Sequence, residues 1–472
     1  MRSLIWFRRD LRIADNTALF EAARHADDGV VGVFLITPKQ WREHDDASCK
    51  VKFLIENVRT LSDRLSELNI PLLTRICDDF QEAPACISKL ASETGCDTVY
   101  INREYEVNES NRDDNVSLAC EQAGVALRRF HDRTIVPPKA ISTKEGKFYS
   151  VFTPYRRVWD STARETVETT PDPEPQPVIA IGRDPVPESI TGFDFSNARS
   201  DLWPPGEDEA QRRLDRFSES ISAYNVERDI PSVRGTSLLS PYLNIGAISA
   251  RQCFFRANQI LESSGGENDG AKTWISELTW RDFYNHVMVA CPRVSMHHPF
   301  KPKTNQIPWR TDQSDFEAWK TGTTGYPIVD AGMRQLNQTG WMHNRLRMVT
   351  AMFLTKNLLI DWRWGEKYFM SHLIDGDLSA NNGGWQWSAS TGTDSVPYFR
   401  IFNPFSQSKR FDPDGLFIRK MCPELKRVPA KALHDPAKLS DAIASLGIDY
   451  PSFVVDYKAG RERALNAFKS LK

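Results

Sequence analysis

Short apolar runs alternate with segments of helical spacing over the first 130 residues, and this alternation constrains the fold more than any other feature of the chain. The run at 30–36, Val-Val-Gly-Val-Phe-Leu-Ile, is apolar along its whole length, as is typical of a strand buried on both faces. Segment 47–68 instead carries apolar residues at three- and four-residue steps, which predicts an amphipathic helix. The other predicted strands are 4–7, 71–76, 98–101 and 126–130, and the other predicted helices are 83–93 and 108–123. Apolar strands separated by helices predict an α/β domain with a doubly wound parallel sheet.

A proline-rich stretch separates this region from the rest of the chain. Six prolines lie between Pro171 and Pro187, and each removes a backbone donor and disfavours a helix. We therefore expect an extended crossing there, and irregular chain throughout 137–205. From residue 206 onward the spacing is helical, with predicted helices at 209–224, 249–261, 273–289, 328–336, 344–360 and 364–373. The predicted domains are an α/β domain at 1–131, a linker at 132–205 and an all-α domain at 206–472.

The composition of the chain restricts the cellular compartment and the kinds of partner that we expect for the protein. The chain has no run of about 18 apolar residues, the length that a membrane span needs, and segment 1–10 is too short and too charged for a signal peptide. Its eight cysteines form no C-x-x-C pair, so we expect reduced thiols, a cytoplasmic protein and no membrane partner. The net charge of −2 does not favour nucleic acid as a partner, although phosphate contacts need only a local basic surface.

The densest group of chemically useful side chains is segment 374–387, Ile-Asp-Gly-Asp-Leu-Ser-Ala-Asn-Asn-Gly-Gly-Trp-Gln-Trp. Its glycines allow close backbone approach, its Asp and Asn side chains can bond the polar edge of a heteroaromatic ring, and its tryptophans offer large π-faces. Two alternatives stay open on these residues alone. Asp375 and Asp377 could bind a metal, although Asn, Gly and Trp are unusual company for one. The segment could also be a turn followed by core tryptophans.

Two further segments combine helical spacing with polar and aromatic side chains. Residues of one helical face are Trp341, Asn344 and Met348 in the first segment, and Trp274, Glu277 and Arg281 in the second. An apolar core stripe would not place Asn344 on such a face, whereas Glu277 and Arg281 could simply form an ion pair on a solvated surface. The hydroxyl-rich stretch 234–242 suits either anion binding at a helix N-terminus or ordinary helix capping.

Together these segments resemble the photolyase–cryptochrome family over nearly the full length of the chain. The matching motifs, in the order that the family has them, are 6–12, 324–331, 340–348 and 375–387. Within the family the chain looks like a bacterial class I cyclobutane pyrimidine dimer photolyase of the folate-antenna type. The resemblance implies an α/β antenna domain and an all-α FAD-binding domain joined by a long linker.

The same resemblance implies a flavoprotein that repairs UV-damaged DNA as a light-dependent carbon–carbon lyase. In the family, reduced FAD absorbs near-ultraviolet or blue light, directly or through an antenna chromophore. The excited flavin gives an electron to a flipped-out pyrimidine dimer, the cyclobutane ring opens and the electron returns, so there is no net redox change. The expected partner is DNA that contains pyrimidine dimers. No obligate protein partner is implied, and the family suggests a monomer.

The resemblance also assigns residues to FAD. The residues expected to bind it are Tyr224, Thr236, Ser237, Leu239, Ser240, Trp274, Arg281, Trp341, Asn344, Arg347, Asp375, Asp377 and Asn381. Arg347 is expected to pair with Asp375 beside the isoalloxazine. Asp377 is expected to meet the polar edge of the ring, and Asn381 to face N5. A neutral amide at N5 suits an anionic hydroquinone, because a second negative charge there would be unfavourable.

For the substrate, the resemblance implies that Trp280 and Trp387 stack against the dimer. Glu277 and Asn344 are expected to bond the base edges, with Met348 against the thymine rings. Asn344 and Met348 also argue against a six-four photolyase, in which histidines are expected at both positions. The residues expected to hold phosphates are Arg228, Arg345 and Arg400. The expected catalytic residues are Asn381, Glu277, Trp280 and Trp387, and no metal is implied.

Two further groups of residues match the family. The tryptophan chain that carries electrons from the surface to oxidised flavin matches Trp385, Trp362 and Trp309. The pocket for a methenyltetrahydrofolate antenna matches His44, Asn108 and Glu109. Ser295 and Met296 stand where the folate type has Cys-Lys, which removes a cationic contact to the folate tail. The sequence therefore predicts an antenna that binds more weakly or is lost on purification.

Three other functions share parts of this pattern. A signalling cryptochrome would keep FAD but lose the dimer contacts or add a C-terminal tail. A DASH-type cryptochrome, which prefers single strands, would differ in the stacking pair. A light-independent flavin oxidoreductase would need a nicotinamide fingerprint or a substrate acid–base pair, and the sequence carries neither. The intact dimer contacts favour DNA repair over all three.

Overall fold

A five-stranded parallel sheet opens the computed structural model, which describes residues 1–471. Its strands are β1 (Ser3–Phe7), β2 (Val30–Ile36), β3 (Leu72–Ile76), β4 (Thr98–Asn102) and β5 (Ala126–Phe130). Their order is β3-β2-β1-β4-β5, and all neighbours are parallel. In the centre, Ile5 of β1 is in register with Gly32 of β2 and with Tyr100 of β4. The predicted doubly wound sheet is therefore confirmed.

Helices make up most of the remaining regular structure. Up to residue 290 they are α1 (Thr17–Arg24), α2 (Pro38–Glu43), α3 (Ser48–Glu67), α4 (Ala83–Glu93), α5 (Val107–Gln122), α6 (Phe152–Thr166), α7 (Glu207–Ser220), α8 (Tyr224–Glu227), α9 (Ser240–Ile245), α10 (Ala250–Ser263) and α11 (Asp269–Ala290). The later ones are α12 (Gln313–Thr321), α13 (Pro327–Thr339), α14 (Asn344–Met352), α15 (Trp362–Met370), α16 (Leu378–Ala389), α17 (Pro404–Phe411), α18 (Leu416–Met421), α19 (Ala430–Leu433), α20 (Pro436–Leu446) and α21 (Tyr457–Lys469). Across residues 1–471, no helix has the length and apolar character that crossing a membrane requires. The predicted helical C-terminal region is confirmed.

The described chain falls into two compact units. The first unit comprises 1–222, 237–295 and 374–379, and the second comprises 223–236, 296–373 and 380–471. In the first, the sheet core includes Leu4, Trp6, Val31, Val33 and Val99. In the second, a helical core includes Trp319, Met333, Leu346, Trp362 and Trp385. These units follow contacts, whereas the domain boundaries predicted at 131 and 205 follow secondary-structure class and stay predictions.

One helix lies where the sequence predicted irregular chain. The prediction for 137–205 is wrong over α6, whose buried residues Phe152, Tyr155, Trp159 and Ala163 recur at three- and four-residue steps. Trp159 Nε1 donates to Asp282 Oδ2 at 2.9 Å and so anchors α6 to α11. From 167 to 206 the described chain forms no helix or strand, as expected for the proline-rich crossing.

The helix predicted at 344–360 is also wrong in its second half. The α-helical part, α14, ends at Met352, and a π-helical turn at Phe353–Asn357 follows it. Leu358 N donates to Phe353 O at 3.0 Å, and Leu359 has a φ of 54°, which no right-handed helix allows. The periodic apolar residues therefore continue past the point where the backbone leaves the helix.

Candidate active site

Charged residues follow the central strand β1 and its neighbour β4 in the first unit. Because β1 and β4 are parallel neighbours, their carboxyl ends meet at the edge where ligands of such sheets bind. Arg9 comes after β1, and its guanidinium donates to Glu104 Oε1 at 2.5 Å and lies 2.9 Å from Glu106 Oε1. Both carboxylates follow β4 in the sequence and are buried. Strand order thus gathers charges that are far apart in the chain.

The three predicted antenna residues come together beside this cluster. Asn108 Nδ2 lies 3.0 Å from His44 Nε2, and Glu109 Oε1 lies 3.6 Å from His44 Nδ1. Burial lowers the pKa of His44, while burial and the neighbouring Glu106 raise the pKa of Glu109 to about 8. Sequence reasoning missed two further neighbours of His44. Gln40 Nε2 lies 2.9 Å from its Nε2, and the Phe80 ring meets the imidazole edge-on at 5.7 Å.

The Asp-Gly-Asp segment is held in place from several sides within the first unit. The carbonyl of Gly376 accepts from Lys50 Nζ at 2.7 Å and from Asn244 Nδ2 at 3.1 Å. Asp377 accepts from Ser379 Oγ at 2.6 Å and contacts the Arg133 guanidinium. Burial alone would raise the pKa of Asp377, but the guanidinium groups of Arg133, Arg281 and Arg9 outweigh it and hold that pKa well below its usual range. The buried carboxylate is therefore ionised and oriented.

Helix α11 carries four of the predicted residues. Trp274 is buried and its ring lies 4.8 Å from that of Phe217. Arg281 donates to the carbonyls of Arg133 and Leu243, which fixes its guanidinium within the first unit. Glu277, three residues after Trp274, is half-buried. The predicted helical face is confirmed, because all of these residues lie in one continuous helix.

Trp280 has a partner that the sequence did not reveal. Its ring stacks on that of Phe152 with centroids 3.6 Å apart and an interplanar angle of 6°. Phe152 opens α6, the helix that was predicted as irregular chain. One face of the indole is thereby covered, so a base could stack only on the other face.

The hydroxyl-rich stretch 234–242, a candidate for anion binding, divides between the units. Tyr224, Arg228 and Thr236 belong to the second unit. Tyr224 begins α8, and the Arg228 guanidinium lies 5.4 Å from the centroid of its ring. Gly235 packs against Glu227 so closely that a Cβ would lie 2.8 Å from the Glu227 carbonyl carbon. Ser237, Leu239 and Ser240 belong to the first unit, where Leu239 N donates to Ser237 Oγ at 3.4 Å before α9 begins.

Helix α14 holds only part of the face predicted around Asn344. Trp341 precedes the helix, so its placement on a helical face with Asn344 and Met348 is wrong: α13 ends at Thr339, and Gly340 has a φ of 68°. Asn344 is exposed and Met348 is half-buried one turn later. Arg345 pairs with Asp229 at 2.8 Å and covers the Phe411 ring at 4.3 Å. Arg347 Nε donates to the Met342 carbonyl at 2.8 Å.

Asn381 in α16 is oriented by a backbone group of the second unit. Its Nδ2 donates to the Glu366 carbonyl at 3.0 Å. A carbonyl can only accept, so the amide nitrogen must face Glu366 and Oδ1 must face elsewhere as an acceptor. An acceptor at this position fits N5 of a reduced flavin, which carries a hydrogen. Trp387, six residues later, is half-buried.

The three tryptophans predicted to conduct electrons lie in the second unit. Trp385 is buried, and its ring contacts those of Phe369 at 4.9 Å and Trp319 at 5.9 Å. Trp309 directly precedes Arg310, whose backbone N donates to the Leu359 carbonyl at 2.7 Å. Trp362 follows Leu359 by three residues. Trp319 was not singled out from the sequence. Arg400, predicted to meet phosphate, is exposed in a turn where its N–H donates to Pro397 O.

An α/β sheet of this order, followed by a helical region with the Asp-Gly-Asp and Asn-Asn-Gly-Gly-Trp motif, defines the photolyase–cryptochrome class. Residues 3–176 match DNA photolyase, and residues 274–470 match the FAD binding domain of DNA photolyase. The chain therefore belongs to the DNA photolyase family.

Individual relatives cover almost the whole chain. The deoxyribodipyrimidine photo-lyase of Vibrio cholerae is 44% identical over 99% of each chain. That of Escherichia coli is 42% identical over 99% of this chain and 98% of its own. Among solved structures, a class III photolyase from Agrobacterium tumefaciens has a TM-score of 0.90 and 34% identity, and covers 100% of this chain and 97% of its own. A Synechocystis cryptochrome has a TM-score of 0.85 and 28% identity over 99% of each chain.

Proposed function

We propose that this chain binds FAD and uses light to split cyclobutane pyrimidine dimers in DNA. Full-length similarity to bacterial deoxyribodipyrimidine photo-lyases at 42–44% identity carries the proposal. The alternative of a photoreceptor cryptochrome is not favoured, because the cryptochrome relative is more distant, at 28% identity. Bound FAD, in its reduced form, supplies the light absorption and the electron that open the cyclobutane ring.

The proposed contribution of the protein to the flavin is orientation and charge. Asp377, held ionised, accepts from an N–H on the polar edge of the ring, and Asn381 Oδ1 accepts at N5. Arg347 and Asp375 lie beside the ring system in this proposal. The other residues proposed to bind FAD are Tyr224, Thr236, Ser237, Leu239, Ser240, Trp274, Arg281, Trp341 and Asn344. Electrons for the initial reduction of the flavin pass through Trp309, Trp362 and Trp385.

The proposed contribution to the substrate is a stacking surface with hydrogen-bonding groups at its border. Extruding a damaged nucleotide costs a few kcal/mol, and each stacking aromatic, here Trp280 and Trp387, stabilises the extruded base by about 1–3 kcal/mol. Glu277 and Asn344 bond the base edges, and Met348 contacts the thymine rings. Arg228, Arg345 and Arg400 hold phosphates, and Arg345 also pairs with Asp229.

We also propose a methenyltetrahydrofolate antenna at His44, Asn108 and Glu109, because Asn108 lies 3.0 Å and Glu109 lies 3.6 Å from the two nitrogens of the His44 ring. Ser295 and Met296 in place of Cys-Lys support weak retention of that antenna. A monomeric state and a cytoplasmic location complete the proposal, the latter because none of the eight cysteines, all within the described residues 1–471, forms a disulfide.

Replacing Trp280 with alanine tests recognition of the damaged base. We expect Trp280→Ala to weaken binding to a dimer-containing duplex by about 5- to 150-fold, the equivalent of about 1–3 kcal/mol. Bound FAD should be unchanged. Dissociation constants for damaged and undamaged duplex, with the flavin absorbance, provide the measurement.

Trp364→Ala is the matched control, because Trp364 is also a half-buried indole on a helix, where it packs edge-on against Phe316 at 5.2 Å. Its affinity for the damaged duplex should equal that of the wild type. Unchanged affinity in Trp280→Ala, with FAD retained, would remove Trp280 from the substrate site.

A further inference from the structure

A continuous chain of alternating charges is buried in the first unit. Its members, in order, are Arg112, Glu104, Arg9, Glu106, Arg133 and Asp377. Each consecutive pair is joined by a guanidinium–carboxylate contact of 2.9 Å or less. All six residues are less than one-fifth exposed in their side chains. Burial of this many charges is favourable only when each is paired, so loss of one member leaves its neighbours uncompensated.

Among these six paired charges, Arg133 is the one next to Asp377. One terminal nitrogen lies 2.9 Å from both carboxylate oxygens of Glu106. The other terminal nitrogen contacts Asp377 Oδ2. A guanidinium is planar and always charged, so a carboxylate at each side fixes both its position and its plane. The Arg133 carbonyl in turn accepts from Arg281, which ties the backbone at this position to α11.

The consequence for Asp377 is a fixed orientation. Ser379 Oγ donates to Oδ1, and Arg133 donates to Oδ2. A carboxylate offers about four lone-pair directions, so these two contacts are compatible with further donors to the same group. Neither oxygen can donate while the group is ionised. The arrangement therefore selects an N–H of a ligand rather than a carbonyl.

We propose that Arg133 is a positioning residue for the flavin, acting through Asp377 with Glu106 as its anchor, and that its positive charge favours the reduced, anionic cofactor over the oxidised one. This inference rests on the proposed function, because it requires Asp377 to face FAD. Arg133 itself need not touch the cofactor. Its contribution is to hold the carboxylate in one orientation and to offset the negative charge that the carboxylate places beside a cofactor that becomes anionic.

The two-electron reduction potential of bound FAD tests this role. Arg133→Gln removes a positive charge, so the potential should fall by about 30 mV or more, which is a tenfold loss of preference for the reduced form. Asp377→Asn removes a negative charge and should shift the potential in the opposite direction. General structural damage would not produce shifts of opposite sign. Arg183→Gln, which removes an exposed arginine paired with Asp63 in the same unit, should leave the potential unchanged.

Two more variants cover the case in which Arg133→Gln does not fold. Arg133→Lys keeps the charge but loses the two-sided contact, so we expect a potential near that of the wild type and weaker FAD binding. In Glu106→Gln/Arg133→Gln the net charge is balanced, and the potential should still fall because Arg133 is the member in contact with Asp377. A potential equal to that of Arg183→Gln in the folded single or double variant would overturn the inference.

The same variants distinguish failure of this inference from failure of the proposed function. If Asp377→Asn shifts the potential and the Arg133 variants do not, Arg133 has no positioning role and the flavin assignment of Asp377 stands. If Asp377→Asn leaves the potential of bound FAD unchanged, both the assignment of Asp377 and the role of Arg133 are wrong. Wild-type protein that binds no FAD would contradict the proposed function itself.

Discussion

His343 is buried and has a structural role inside a motif that is predicted to bind substrate. Its Nδ1 accepts from Arg345 N at 3.2 Å and so caps the start of α14. This contact requires a neutral ring with an unprotonated Nδ1. Burial, opposed by Asp229 and aided by the nearby cations Arg345, Arg347 and Arg228, lowers the pKa of His343 to about 4. Stability of the helix start is therefore sensitive to acid.

We expect His343→Asn to reduce the acid sensitivity of the protein, since asparagine is a good helix cap that does not titrate. The folded-state pKa lies below the unfolded value of about 6.5, so the unfolded chain binds more protons and stability falls as the pH drops below about 6.5. Between that pH and about pH 5 the wild type should lose about 2 kcal/mol more than the variant. Urea unfolding at both pH values measures the difference, and parallel pH profiles for the two proteins would contradict it.

At the residue scale, the sequence indicated which side chains matter but not what they touch. Asp377 and Trp280 were singled out from their motifs, yet neither Arg133 nor Phe152 was connected with them. Arg133 is 244 positions from Asp377, and a separation of this size leaves no periodic signal. Tertiary packing of distant segments creates such contacts, and no local sequence pattern encodes them.

Two helices in the second unit approach each other so closely that one of them needs a glycine. A Cβ on Gly365 of α15 would collide with Cη2 and Cζ3 of the Trp385 indole in α16. Trp385 also contacts Phe369 and Trp319, so its ring has little room to move. The close approach of these helices thus fixes the tryptophan proposed to stand next to the flavin.

We expect Gly365→Ala to lower the free energy of unfolding by about 1–3 kcal/mol, the usual cost of overpacking a core. Displacement of the Trp385 ring should also slow photoreduction of oxidised FAD. Thermal unfolding and the rate of flavin bleaching under blue light measure the two effects. Gly182→Ala serves as the control, because a Cβ there meets no atom within 4 Å. Wild-type photoreduction and stability in Gly365→Ala would show that the helices can separate without consequence.

At the element scale, prediction succeeded where a regular apolar pattern had clear boundaries in the sequence. The predicted helix at 83–93 is α4 itself, and the strand at 30–36 is β2 itself. Helix α6 was missed because the prolines after it suggested that irregular chain began earlier. The π-helical turn after α14 was missed because apolar side chains keep their spacing while the backbone changes its hydrogen bonds. A local pattern of apolar residues therefore predicts which side chains are buried better than it predicts the backbone geometry.

For the whole molecule, overall charge gives no sign of a DNA partner. The chain carries 60 Lys and Arg against 62 Asp and Glu, so any attraction to phosphate must be local. Arg345 is engaged with Asp229, whereas Arg400 is exposed. Of these two, Arg400 is the simpler candidate for a phosphate contact.

We expect the affinity for dimer-containing duplex to fall as salt rises, since phosphate contacts release bound counterions. Arg400→Gln should reduce the slope of log affinity against log salt by about 0.9, the share of one phosphate contact. Lys89→Gln, which removes an exposed cation from α4, should leave the slope unchanged. Titrations at several salt concentrations give the slopes, and an Arg400→Gln slope equal to that of the wild type would exclude this phosphate contact.

Light-dependent repair by the reduced protein tests the central claim most directly. Chemically reduced, FAD-containing protein is incubated with a thymine-dimer oligonucleotide in darkness and under blue light, and the recovery of thymine absorbance is followed. We predict recovery under light and none in darkness, with no net consumption of reductant. Absence of repair under light, with FAD bound and reduced, would contradict the account.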